Sequence, residues 1–277
     1  MARAPTSVPG AILTGRRPAP RTSLGPMTAL RGVAERLRTA KLYLCTDGRV
    51  EQGDFADFVQ EAFAGGVDIL QVRHKGLDPE QELELLQVAR RAARPHHGLV
   101  SVNDSPALAG RFGTDVLHLG QTDGPAAEAR RHLHRWAVVG RSTHSVEQLA
   151  EADADPDTDY FCVGPVHATP TKPTYRPVGL ELVRHAAQQV PPHEPGRKPW
   201  FAIGGINRET LDDVLLAGAR RVVVVRAITE ADDPRAAAAE LKARLTQAWR
   251  DDPSMVEGGF ALEGDPGVLR RAFGRDS

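Results

Sequence analysis

Short runs of apolar and β-branched residues recur along the chain, and the segments between them carry apolar residues at helical spacing. The segment DFADFVQEAFAGG, for example, places its apolar residues on one helical stripe and ends in glycine. This alternation predicts a parallel sheet, and the continuously apolar strand runs indicate a sheet covered on both faces. Eight strands are predicted, at residues 41–46, 67–72, 99–102, 115–119, 136–140, 160–164, 200–204 and 222–225.

Eight strand–helix units within about 210 residues favour a single α/β domain folded as a (β/α)8 TIM barrel. An open, doubly wound sheet is the alternative, but no Gly-x-Gly-x-x-Gly follows the first predicted strand. We expect the barrel, with a short leading helix, over residues 27–250. Residues 1–26 are basic and rich in Pro, Gly and Ala, and residues 251–277 lose periodicity, so both ends are predicted to be disordered tails.

The charge balance narrows the possible partners. The 277 residues include 35 Lys plus Arg and 36 Asp plus Glu. This balance gives no reason to expect nucleic acid or a membrane as a partner, and no apolar run approaches the roughly 20 residues of a membrane span. Cys45 and Cys162 each lie inside a predicted strand and are expected to be buried, reduced thiols of a cytoplasmic protein. A homo-oligomer is left open.

Polar residues follow most of the predicted strands at the point where each strand ends. In a barrel of this type all strands end at one rim, and that rim carries the active site. Asp104 and Asp123 follow adjacent strands, so they can converge on one point. Paired carboxylates with oxygen-rich neighbours suit Mg2+. The polar strand-end residues are Gln71, Arg73, Lys75, Asn103, Asp104, Gln121, Asp123, Ser142, Thr143, His144, Thr169, Thr171 and Lys172.

A second part of the rim is suited to an anion. Gly204 and Gly205 lead into a predicted helix capped by Asn207, where backbone N–H groups and the helix dipole favour phosphate. The cations Arg73, Lys75 and Lys172 add charges that suit a diphosphate. The pattern predicts two phosphorylated ligands, one of them a metal-bound diphosphate. Taken singly, an aspartate after a strand, such as Asp104, is more often a helix cap than a ligand, and Asp123 fits an ordinary turn.

These motifs resemble the thiamine-phosphate synthase family from about residue 42 to residue 229. The resemblance implies condensation of an aminopyrimidine methyl diphosphate with a hydroxyethylthiazole phosphate, or its carboxylated form, to thiamine phosphate with release of diphosphate. It implies Mg2+ as the cofactor. The matching pieces, in order, are LYLCTD, QVRHK, VNDSPALA, LHLGQTD, GRSTHS, GPVHATPTK and AIGGI.

The resemblance also implies a role for each site residue. Asp104 and Asp123 would hold Mg2+, and Lys75, Ser142 and Lys172 would contribute most directly to catalysis. Residues that would hold the pyrimidine diphosphate are Gln71, Arg73, Lys75, Asn103, Ser142 and Lys172. Residues that would take the thiazole phosphate are Thr169, Thr171, Gly205, Val225 and Arg226.

The sequence departs from the family pattern at two of these motifs. His74 stands where many members have an acid, and Arg226 stands where many have serine. Two other functions use the same barrel: a thiazole tautomerase, which is an isomerase, and a non-catalytic barrel that binds thiazole phosphate. Neither of them needs a metal or a diphosphate, so neither explains the two aspartates and the strand-end lysines.

Overall fold

The computed structural model describes residue 1 and residues 32–74, 76–169, 176–194 and 196–257. Eight strands alternate with helices along this part of the chain, as the sequence predicts. The strands are β1 (Leu42–Thr46), β2 (Ile69–Val72), β3 (Leu99–Asn103), β4 (Val116–Leu119), β5 (Val138–Thr143), β6 (Tyr160–Val163), β7 (Trp200–Ile203) and β8 (Val222–Val224).

Most of the helices begin at proline or at a polar cap. Asp78 caps α3 with a capping box, and the side chains of Ser105, Ser145 and Asp233 cap α4, α6 and α10. The helices are α1 (Val33–Thr39), α2 (Phe55–Ala64), α3 (Pro79–Ala93), α4 (Pro106–Phe112), α5 (Ala126–Arg130), α6 (Val146–Ala154), α7 (Gly179–Gln189), α8 (Leu211–Leu216), α9 (Arg226–Thr229), α10 (Pro234–Asp251) and α11 (Pro253–Glu257), with a 3-10 turn at Arg94–His96.

The strands close into a parallel barrel in sequence order, and β8 pairs with β1. The predicted (β/α)8 fold is therefore confirmed. Side chains alternate along each strand between two apolar clusters. One cluster lies between the strands and the helices. The other fills the barrel interior and is lined by residues such as Tyr43, Ile69, Leu99 and Phe201.

Two local features differ from the sequence prediction. Strand β5 begins at Val138 rather than at residue 136, and Trp136 lies outside it with 64% of its surface exposed. Helix α8 begins at Leu211 rather than at Asn207. The Asn207 side chain still accepts hydrogen bonds from the N–H groups of Glu209 and Thr210, at 3.0 Å each, but it caps a turn that precedes the helix.

The C-terminal part of the fold continues past residue 250. Helix α10 ends at Asp251, α11 follows, and Met255 is fully buried against Trp249. Residues 251–257 therefore belong to the packed fold, whereas the sequence assigned them to a tail. The predicted tail segments 2–26 and 258–277 lie outside the described residues.

Cys45 and Cys162 are buried thiols, as expected. In the described part of the chain no helix combines the length and the apolar character needed to cross a bilayer.

Candidate active site

Two cavities open at the carboxyl-terminal rim of the barrel, and they meet at the Ser142 side chain. The larger encloses about 240 Å³ and lies beside β7 and β8. The smaller, about 40 Å³, lies over β2, β3 and β4. Ser142, Ile203 and Val223 line both. The site is therefore one continuous depression with two compartments, a shape that suits two ligands held side by side.

The smaller compartment carries the predicted carboxylate site. Gln71, Arg73, Asn103 and Asp104 all line it. Asp104 has a left-handed backbone with φ 59°, and its carboxylate accepts a hydrogen bond of 2.6 Å from the Asn103 side chain. Asp123 is held at the adjacent strand end by the N–H of Gly120, at 2.7 Å. The two aspartates are thus both fixed on neighbouring loops, as the sequence predicts.

Asp104 and Asp123 come close enough to share a hydrogen bond. Burial and this neighbouring carboxyl raise the pKa of Asp104 to about 6. Two carboxyl groups placed this close need either a proton or a cation between them. The described residues hold no cluster of three or more His, Cys, Asp and Glu side chains that could bind a metal ion. A pair of convergent carboxylates is nevertheless a donor set that fits Mg2+, which binds through one or two carboxylates together with water and ligand phosphates.

The larger compartment carries the predicted anion site. Thr169, Gly205, Val225 and Arg226 line it. Gly204 and Gly205 both have positive φ, and a Cβ on Gly205 would lie 2.7 Å from the His167 side chain, so glycine is required there. Since α8 begins at Leu211, the helix dipole that the sequence predicts at this glycine pair does not act on it directly. The anion would instead meet the backbone at the start of α9.

Arg226 and His144 add polar groups to the larger compartment. Arg226 is the first residue of α9, and its guanidinium lies 4.0 Å from the Glu230 carboxylate, with both side chains largely exposed. His144 lines the same wall, and its Nδ1 lies 2.5 Å from the carbonyl oxygen of Gly164. Arg226 therefore lies beside both the exposed Glu230 carboxylate and the space in which an anion would sit.

The compartments share a polar floor that the strand-end pattern does not reveal. Tyr43, His118 and Tyr160 are buried in the barrel interior, and His118 Nε2 lies 2.9 Å from Ser142 Oγ. Their positions could have been found from alternation within strands, because Tyr43 and His118 stand two residues from other inward-facing positions, Cys45 and Val116. Lys75, Thr171 and Lys172, three of the predicted site residues, lie outside the described residues.

A closed (β/α)8 barrel with convergent carboxylates and two joined cavities at its carboxyl-terminal rim is typical of the barrel enzymes, whose active sites lie at that rim. The family model for thiamine monophosphate synthase matches residues 42–228. The chain belongs to this family.

Curated relatives and a solved structure agree with that assignment. The chain is 54% identical over 214 residues to a thiamine-phosphate synthase of Thermobifida fusca, covering 77% of this chain and 96% of the relative. It is 54% identical over 223 residues to one of Mycolicibacterium smegmatis, covering 77% and 96%. The structure of a thiamine phosphate pyrophosphorylase from Pyrococcus furiosus, 29% identical, superposes with a TM-score of 0.67 over 77% of this chain and 98% of the other.

Proposed function

We propose that the chain condenses 4-amino-2-methyl-5-hydroxymethylpyrimidine diphosphate with 4-methyl-5-(2-hydroxyethyl)thiazole phosphate to give thiamine phosphate and diphosphate. It is a transferase of thiamine biosynthesis. The observation that carries the proposal is the pair of compartments that meet at Ser142. One has carboxylates for a metal-bound diphosphate, and the other has a glycine-lined wall for a monophosphate.

The pyrimidine diphosphate occupies the smaller compartment in this proposal. Gln71, at its floor, faces the ring, while Arg73 and Asn103 face the diphosphate, together with the predicted Lys75 and Lys172. Asp104 and Asp123 would hold Mg2+. When bound, the ion would neutralise negative charge on the diphosphate as it leaves.

The thiazole phosphate occupies the larger compartment. Gly205 and the backbone at Val225 and Arg226 receive its phosphate, with Thr169 and the predicted Thr171 beside it. Ser142, between the compartments, lies where the two rings would approach each other. The protein's main contribution is thus to hold the two reactants in line, in the orientation that the reaction needs.

The residues match the demands of the reaction. The C–O bond to diphosphate breaks, and the amino-substituted ring spreads the positive charge that develops on the methylene carbon. Negative charge develops on the leaving group, opposite Arg73 and the predicted lysines. The thiazole nitrogen then forms the new C–N bond with its own lone pair, so no general base is required. The proposal includes a cytoplasmic location, which the buried thiols of Cys45 and Cys162 support because they suit a reducing compartment.

An assay with both substrates tests the proposal. We expect diphosphate release and thiamine phosphate formation in equal amounts, only when both substrates and Mg2+ are present. A tautomerase would isomerise a thiazole carboxylate phosphate without a pyrimidine substrate, and a binding protein would turn over neither. Either result would overturn the proposal.

A further inference from the structure

A chain of hydrogen bonds runs through the barrel interior beneath both compartments. Gln71 Nε2 donates to the Tyr43 hydroxyl at 2.9 Å, and Tyr43 donates to Ser101 Oγ at 2.9 Å. The Tyr160 hydroxyl lies 3.4 Å from that of Tyr43 and 3.1 Å from His118 Nδ1. The chain ends where His118 Nε2 meets Ser142 Oγ at 2.9 Å. It joins two residues proposed to contact the pyrimidine diphosphate.

The distances favour one arrangement of the hydrogen atoms in this chain. The Tyr43 hydroxyl donates its one hydrogen to Ser101, so it can only accept a hydrogen bond from Tyr160. The contact between the two tyrosine oxygens, at 3.4 Å, is longer than an ordinary O–H···O bond, whereas 3.1 Å suits a bond from Tyr160 to the His118 ring nitrogen. The shorter distance therefore favours donation from Tyr160 to Nδ1.

A hydrogen bond in this direction selects one neutral tautomer of the histidine. A neutral imidazole carries one hydrogen, so an accepting Nδ1 leaves that hydrogen on Nε2. Nε2–H then donates to Ser142 Oγ. Because the serine oxygen already accepts this bond, the hydroxyl hydrogen of Ser142 is free to point toward the ligand.

We propose that His118 is a positioning residue, which Tyr160 holds as the Nε2–H tautomer so that Ser142 presents its hydroxyl hydrogen to the pyrimidine diphosphate. The proposal rests on the proposed function for the identity of that ligand. In the opposite tautomer, Ser142 would donate to His118 and could offer the ligand only an oxygen lone pair. The floor of the site would then repel an acceptor atom of the substrate rather than bind it.

The surroundings keep the arrangement fixed. Burial raises the pKa of the Tyr43 and Tyr160 phenols well above the usual value of 10, so both remain hydrogen-bond donors. The Tyr160 ring packs edge-on against Phe201, with ring centres 5.8 Å apart. On its other side it lies against Gly140, where a Cβ would come within 2.0 Å of the ring. Glycine at 140 is therefore needed to admit Tyr160.

The tautomer can be measured directly in the ligand-free protein. Histidine labelled with nitrogen-15 distinguishes the two neutral forms and the imidazolium by the shifts of the ring nitrogens. The spectrum of a His118→Gln variant identifies which of the ten histidine signals belongs to His118. We expect the Nε2–H form in the wild type and a mixture of forms in Tyr160→Phe. A wild-type Nδ1–H form, or an imidazolium, would overturn the proposal.

Kinetics test whether the effect passes through Ser142. His118→Leu should lower kcat by about tenfold or more, the scale for a lost hydrogen bond to a reacting group, with little change in the KM for thiazole phosphate. His118→Gln, which keeps an N–H donor, should recover part of that loss. The exposed His132→Gln serves as the matched control and should leave kcat unchanged.

A double-mutant cycle separates positioning from general loosening of the barrel. In a Ser142→Ala background, His118→Leu should lower kcat by less than about threefold. An undiminished loss in that background would show that His118 does not act through Ser142. The tautomer measurement needs no turnover, and the wild-type assay does not depend on the tautomer. Failure of this proposal and failure of the proposed function can therefore be told apart.

Discussion

At the scale of single residues, the paired aspartates are the feature of the rim with the clearest energetic cost. Asp104 is held in a left-handed conformation, and its carboxyl lies beside that of Asp123. Arg73 partly offsets this by lowering the pKa of Asp104, but burial and the second carboxyl dominate. Such an arrangement is unfavourable by itself, which is typical of residues that serve a ligand rather than the fold.

Replacing either aspartate should therefore impair catalysis more than folding. We expect Asp104→Ala and Asp123→Ala each to lower kcat by about 100-fold or more, the scale for losing a main electrostatic stabiliser. Steady-state kinetics at varied Mg2+, together with thermal unfolding, measure both effects. Asp57→Ala, on the exposed face of α2, is the control and should behave as the wild type. Near-normal wild-type activity in EDTA would contradict the metal role.

Arg226 gives a second prediction at this scale. Its guanidinium, 4.0 Å from Glu230, is free to exchange that exposed partner for a phosphate in the larger compartment. We expect Arg226→Ser to raise the KM for thiazole phosphate by about tenfold, the lower end for a charge-assisted hydrogen bond at an exposed site. The KM for the pyrimidine diphosphate should barely change.

Glu230→Gln is the matched variant for that experiment. It removes the carboxylate that competes with phosphate for Arg226, so it should leave the KM for thiazole phosphate unchanged or lower it. If Arg226→Ser leaves that constant unchanged, the guanidinium serves only the ion pair with Glu230, and the backbone alone receives the phosphate.

At the scale of elements, the sequence shows which polar residues end or interrupt a strand, but not which side chains of neighbouring strands meet. Asp104 and Gln71 stand out because a polar residue interrupts or ends an apolar run. His118 also interrupts an apolar run, DVLHL. A single histidine in such a run is equally typical of a hydrogen-bonded residue of the core, so the sequence does not identify its role. Its role emerges only because β4 and β5 are neighbours and bring His118 to within 2.9 Å of Ser142. The sequence contains the alternation, but it does not contain the cross-strand distances.

The same limit explains the two misplaced boundaries. Trp136 is apolar and precedes an apolar run, so pattern alone extends β5 to include it. The structure starts the strand at Val138, where its pairing with β4 begins, and leaves the indole exposed under Arg135. Asn207 similarly suits a cap, yet it caps a turn four residues before the helix. Local propensity does not specify how far a turn extends before a helix begins.

The contact between β1 and α10 gives a prediction about pH. Lys41 is 93% buried by area, and its Nζ lies 4.0 Å from the centre of the Trp249 ring. Burial, together with the nearby positive charges, lowers its pKa from 10.5 to about 8. The charged form is therefore penalised in the folded state. This penalty is fully present below pH 8, shrinks as the pH rises toward 10.5 and is absent above it.

Removing the charge should accordingly stabilise the protein at neutral pH. A depression of this size corresponds to roughly 3 kcal/mol, and the cation–π contact offsets about 1–2 kcal/mol. We expect Lys41→Met to raise the free energy of unfolding by about 1–2 kcal/mol at pH 7 and to lose most of that gain at pH 10. Urea unfolding at both values measures this. Lys41→Arg, which stays charged, should show no gain at either pH, and a pH-independent gain in Lys41→Met would contradict the prediction.

At the scale of the whole molecule, the barrel and the helices packed around it extend to residue 257. Asp252 forms an ion pair with Arg220 at 2.7 Å, with both side chains mostly buried, and this contact directs the chain into α11. Met255 then covers Trp249, which also stacks beneath Lys41. The apolar pattern does not predict this segment because α11 has only five residues, too few to show a helical stripe.

Shortening the chain at two points separates the packed end from the remaining sequence. The composition of residues 1–26 and 258–277 predicts that a chain of residues 27–257 keeps its melting temperature and its turnover. A chain of residues 27–252 loses Met255, uncovers the Trp249 ring, and should lose about 2 kcal/mol, the lower end for a buried methionine. In a domain of this size that is a fall of about 4–8 °C in melting temperature. Met255→Ala in the full-length chain should reproduce most of the fall without any truncation, since the same contact is removed.

Thermal unfolding of the three variants tests this prediction. Equal melting temperatures for the two shortened chains would show that α11 contributes nothing to stability. A lower melting temperature already in the chain of residues 27–257 would show that the segments removed from it make stabilising contacts.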